Sequence, residues 1–183
     1  MDEKTLEAAA AHVVTEEALE AIVERGHYLD HLKKVNDVYY DQIKIADQKA
    51  AYLFTFMVAF LVTSAEGRDV FSAARYAQGS WHTIVLSACM ALAVVTTIFA
   101  AVLVVLPRKA TGGTTLYWGA WSDNRQRFIE ADRTGDPQFL TREYLGNVDA
   151  LASIARRKFM FVATAFRGLL LAILAYVLLL ATR

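Results

Sequence analysis

The chain has 183 residues, 56% of them apolar and 21% charged, and its 19 basic and 19 acidic side chains cancel to a net charge of zero. The apolar share exceeds that of a soluble domain, the charged share is too high for a chain lying wholly in lipid, and the balance gives no electrostatic footprint for a nucleic-acid polymer. With about 65 residues in lipid, the remainder suffices for one small helical module and not for an independent enzyme domain.

The opening, MDEKTLEAAAAHVVTEEALE, is acidic and lacks the apolar run of a signal peptide, which predicts that the amino terminus stays in the cytoplasm. Thr15, followed by Glu16 and Glu17, reads as the N-cap of a helix that continues into the first span. Along it Ile22, Leu29 and Ile43 recur at heptad spacing, with Leu32 and Tyr39 at the companion positions and Asn36 as a polar interruption, so this face expects a partner helix. His27 and His31 lie one turn apart around Asp30; lacking a third ligand, they read as a solvated face rather than a metal site.

Three apolar runs follow, and they predict an all-α membrane protein. Residues 1–49 form the N-terminal cytoplasmic helical segment, 50–65 the first span, 66–83 an external loop, 84–106 the second span, 107–158 a second cytoplasmic helical segment and 159–182 the third span. The clearest run, Ile84–Leu106, carries no formal charge and is stopped by Pro107 with Arg108 and Lys109 behind it. At helical rise it covers about 34 Å, against a hydrocarbon core of about 30 Å. The first run is short, so its helix is expected to extend upstream, with Lys49 snorkelling to the headgroups. Cys89 lies inside the second span and reads as an apolar packing residue. After it, Gly112 and Gly113 are expected to break the helix, LYWGAWSDNRQRFIEA to form a short aromatic helix, and Asp136 before Pro137 to start a helix running into the third span. The extensions of the spans should gather into a cytoplasmic helical bundle.

Lys and Arg number six in residues 1–49, two between the first and second spans and nine from Pro107 to Lys158. Positive charge is retained on the cytoplasmic side, so both long polar segments are expected inside, the 66–83 link outside, and Arg183 outside after an odd number of crossings of the membrane.

That topology brings Asp47, Lys49, Arg108, Lys109, Arg156, Arg157 and Lys158 to one membrane surface. Six are basic and form a candidate ligand-binding ring for a phosphate; the alternative is a set of topogenic anchors. Asp47 adds nothing to anchoring and reads as a solvated or paired surface charge. Arg167 is a second candidate, for coupling to the membrane: either it faces a bundle interior or water, or the membrane begins near Ala163 and Arg167 snorkels to the interface. Tyr39, Tyr40, Tyr117, Trp118, Trp121, Phe128 and Tyr144 offer rings that either stack on a flat ligand or fill the core and the aromatic belt. Ser87, Ala91, Gly168 and Ala172 permit close helix approach, a weak sign of oligomerisation.

The elements ADQKAAYLFTF entering the first span, Pro107 closing the second, LYWGAW with Phe128 in the loop, and Lys158 opening the last span, in that order, resemble the Pycsar transmembrane effectors, the membrane arm of the pyrimidine cyclase anti-phage system. The resemblance covers about residues 39–182; residues 1–38 are an extension. It implies a sensor of cyclic UMP or cyclic CMP, made by a cognate pyrimidine cyclase, that disrupts the cell inner membrane in abortive infection. The sequence carries no Ser/His/Asp set, Gly-rich phosphate loop or paired acid motif, so neither an enzyme nor a cofactor is expected, and the chain is expected to act as a homo-oligomer. It assigns no nucleotide contacts to individual residues. The rival expectations are an assembly subunit of a larger membrane complex and a ligand-independent, holin-like pore former.

Overall fold

In the computed structural model the described residues are 3–107, 113–117 and 119–182, with side chains described from residue 26 onward. They form six helices and no strand: α1 (Glu3–Thr63), α2 (Ala65–Asp69), α3 (Ala73–Gln78), α4 (Trp81–Val105), α5 (Trp121–Thr134) and α6 (Phe139–Ala181). Helices α1, α4 and α6 contain the stretches long and apolar enough to cross a membrane, Gly26–Thr63, Trp81–Val105 and Phe139–Ala181.

The chain divides into two compact units, Met1–Tyr39 with Ala110–Leu151, and Tyr40–Lys109 with Ala152–Arg183, and α1 and α6 each contribute to both. In the second unit the apolar positions repeat at helical spacing. Ala46, Ala50, Leu53 and Met57 turn one face of α1 inward, and Val162, Ala165, Ala172, Ala175 and Leu179 do the same for α6. They close on Met90, Val94, Ala100, Ala101 and Val104 of α4. So much alanine brings the backbones close, and Gly168 marks the tightest approach: a Cβ there would press on Thr97 Oγ1 and lie 3.1 Å from the Ala93 carbonyl. The small residues Ser87, Ala91, Gly168 and Ala172 therefore serve packing within one chain. Gly168→Leu should overpack this seam and lower stability by about 1–3 kcal/mol, read as a drop in the thermal midpoint of the detergent-purified chain; an unchanged midpoint would contradict the seam.

The 66–83 link, expected to be a plain loop, is folded instead. Ser64 Oγ caps α2 by accepting from the Gly67 N–H at 3.0 Å, and Val70 is fully buried in the apolar core. Arg75 pairs with the buried Glu66 and donates through Nε to Ser87 Oγ at 2.6 Å, which clamps the link onto α4. Two local forces were absent from the sequence reading: the cap at Ser64 and an ion pair formed across nine residues.

In the first unit α5 ends at Gly135, whose φ of 64° is the left-handed C-cap conformation. The Asp136 carboxylate accepts from the Gln138 N–H at 3.0 Å and pairs with Arg142, and these contacts, the backbone donor first, hold its pKa below the ordinary value of 3.8. Two expected helix starts move. Thr15 lies within α1, which begins at Glu3, and the aromatic helix begins at Trp121 rather than Leu116; ahead of it the Tyr117 N–H donates to the Thr114 carbonyl and the Ala120 N–H to the Tyr117 carbonyl. Helix α4 ends at Val105, before the glycines expected to break it.

Candidate functional site

Within the second unit, Ala46 and Ala50 occupy the inward face of α1, and Asp47 stands one step round from it. On α6, Lys158 lies between the buried Ala155 and Val162 at helical spacing, so its stem is inside the bundle and only its amine seeks a polar partner. That partner is Asp47: Lys158 Nζ donates to Asp47 Oδ1, closing an ion pair between α1 and α6. The two ends are unequal, since the Lys158 side chain is 7% exposed and that of Asp47 37%. Around the pair, Ala46, Ala50, Ala101, Val104 and Val162 bring all three apolar helices together near the Val105 end of α4.

An open cleft of about 630 Å³ lies beside it, lined by Tyr40, Asp41, Lys44, Asp47, Gln48 and Val105 among others. Its volume falls within the range of about 300–1,000 Å³ common for small-molecule sites. It offers a half-exposed ring, an ammonium and several hydrogen-bonding groups in one concavity, with Asp47 shared between cleft and ion pair. Next to it, Lys49 is exposed and its Nζ lies 5.9 Å from the centroid of the Phe159 ring, a cation–π distance.

Of the seven residues expected at the membrane surface five are described, and among these Asp47 and Lys158 form an ion pair. Lys49, Arg156 and Arg157 are exposed, and Arg108 and Lys109 lie outside the described residues. Lys158 is thus neutralised within the chain and is not an available member of a basic ring. Arg167 is exposed on the outer side of α6. His27 and His31 are both exposed. Among the aromatic candidates Tyr39, Tyr117 and Tyr144 are partly buried; Trp121 and Phe128 stack at 5.9 Å and Phe128 meets Phe139 at 6.1 Å, while Trp118 lies outside the described residues.

The first unit holds a polar constellation that pattern reading missed. Asn147 Nδ2 donates to Asn36 Oδ1 at 2.6 Å, and Thr114 Oγ1 donates to Asn147 Oδ1 at 3.3 Å. One helical turn earlier on α6, the buried Glu143 accepts from the Thr115 N–H at 2.5 Å, from Thr115 Oγ1 at 2.9 Å and from Arg127 at 3.3 Å. Arg127 also donates to Asn124 Oδ1 at 2.9 Å. A Cβ at Gly113 would lie 2.6 Å from Asn124 Nδ2, so any larger residue there would push the Asn124 amide out of its place. Polar groups so buried are tolerated only when hydrogen-bonded, and together they fix one arrangement of α1, α5, α6 and the 113–117 segment. Asn36 was the one visible signal, a polar residue at a heptad core position.

Three apolar helices with no strand among the described residues, packed on alanine seams and closed by a part-buried ion pair, define a multi-pass all-α membrane protein. A family model described as the Pycsar effector protein domain matches residues 31–183, and the chain belongs to that family. It is accordingly a membrane effector of anti-phage defence. No curated protein and no solved structure matches the chain.

Proposed function

We propose that the chain is a non-enzymatic sensor of a cyclic pyrimidine mononucleotide, cyclic UMP or cyclic CMP, made by a cognate cyclase, and that binding drives copies to assemble and breach the cell inner membrane. The amino terminus and residues 107–158 face the cytoplasm, where the nucleotide is made. The observation that carries the reading is the sharing of Asp47 between the cleft and the ion pair with Lys158. In this account Tyr40 stacks the base, Lys44 meets the phosphate, and Gln48 and Asp47 accept or donate at the base and ribose edges. A ligand that recruits Asp47, or brings an anion beside it, loosens its hold on Lys158 and so the contact between α1 and α6.

Turning a mostly closed population into a mostly open one requires about 5.5 kcal/mol of differential binding, attainable when several charge-assisted contacts form only in the open state. Calorimetric titration of the detergent-purified chain with each cyclic mononucleotide tests the site. Binding is expected for at least one of them and should weaken about tenfold or more in Lys44→Ala, the loss of one charge-assisted hydrogen bond. Undiminished binding in both Lys44→Ala and Tyr40→Ala would place the nucleotide elsewhere.

A further inference from the structure

We propose that Arg167 lines a water-filled path between copies of this chain and makes that path selective for small inorganic anions. The inference rests on the leakage reading above and adds to it the charge of what passes. Its first support is depth. Gly168, the next residue, is seated between Ala93 and Thr97 of α4, whose helix runs Trp81–Val105. At helical rise that level lies roughly 15 Å from the Val105 end of α4 and roughly 21 Å from the Trp81 end. It is also the middle of the uncharged run Ile84–Leu106. Arg167 therefore stands near the centre of the membrane, out of snorkelling reach of either surface, and not at an interface beginning near Ala163.

The second support is direction. Val162, Ala165, Gly168 and Ala172 form the buried face of α6, whereas Ala163, Thr164, Arg167, Leu171 and Leu174 are exposed on the other side. Arg167 is exposed and, among the described residues, no side chain pairs with its guanidinium, while Thr164 spends its hydroxyl on its own helix by donating to the Met160 carbonyl at 3.0 Å.

The third support is charge. The apolar stretches 50–65, 84–106 and 159–182 contain no Asp or Glu, so a neighbouring copy brings to this depth another arginine and no carboxylate. Protein cannot neutralise the charge in an assembly of identical chains; water and mobile anions can. A ring of such arginines in a low-dielectric wall raises the local anion concentration and excludes cations.

The test is the current through planar bilayers containing the full chain, in a potassium chloride gradient, with cyclic UMP and cyclic CMP both present. The wild-type chain should favour chloride, and Arg167→Glu should lower the chloride-to-potassium permeability ratio by about tenfold or more. A ratio unchanged in both Arg167→Glu and Arg167→Gln would overturn the inference and leave the leakage reading standing; no nucleotide-dependent current in the wild-type chain would overturn both. Should the arginine variants fail to insert, Thr164→Cys in a Cys89→Ser background keeps the charge. A water-soluble methanethiosulfonate should then block the current, and current indifferent to the reagent would contradict a path along this face.

Discussion

Asp47→Asn is expected to lower the stability of the membrane unit by about 2 kcal/mol, below the roughly 3–5 kcal/mol of breaking a fully buried pair because Asp47 reaches solvent. The effect should be asymmetric. Removing the acid leaves the ammonium of Lys158 inside the bundle with no counter-charge, whereas Lys158→Met leaves a carboxylate that is 37% exposed and hydrates where it stands. Lys158→Met is therefore expected to cost less than Asp47→Asn, and the pair Asp47→Leu with Lys158→Met to recover much of the loss. If the ion pair also restrains the closed state, about 2 kcal/mol multiplies the open-to-closed ratio by about 30. Asp47→Asn should then depolarise cells without any cyclase present. Thermal unfolding in detergent reads the first effect and a membrane-potential dye the second; equal costs for the two single variants would contradict the assigned burial, and a polarised membrane would contradict the restraining role.

Glu143→Ala should destabilise the first unit by about 3 kcal/mol, since it strips the part-buried Thr115 N–H and hydroxyl of their acceptor and leaves Arg127 without its carboxylate. Glu143→Gln keeps an oxygen for Thr115 and loses only the charge, so it should cost about half as much. The expected signature is proteolysis within 113–117 in Glu143→Ala well before the apolar helices yield. Protease resistance equal to wild type would show that the Glu143 contacts do not hold that segment.

The fold was legible where one physical force dominates. An uncharged run of membrane length located α4, and two further apolar runs, one short and one carrying Arg167, located the apolar parts of α1 and α6, because a bilayer imposes length and composition together. What stayed hidden was pairing across long stretches of chain. Asp47 read as an odd carboxylate among cations, and Asn36 as a polar break in a heptad; each finds its partner 111 residues away, on α6, at a distance that periodicity does not encode. The same limit explains the ring of cations. Counting charges at helix ends locates Lys158 correctly along the chain, but a count does not reveal that its neighbours at helical spacing, Ala155 and Val162, turn it inward to Asp47 while Arg156 and Arg157 point out. Local hydrogen bonds also outweighed composition ahead of Trp121, where the Tyr117 N–H donates to the Thr114 carbonyl and the aromatic helix starts later than expected.

Dissipation of a chloride gradient across liposomes carrying the purified full chain tests the central claim most directly. Leakage should begin on addition of cyclic UMP or cyclic CMP and be absent with the matching linear 5′-monophosphates. Leakage without nucleotide, or an intact bilayer in the presence of both cyclic nucleotides, would contradict the account.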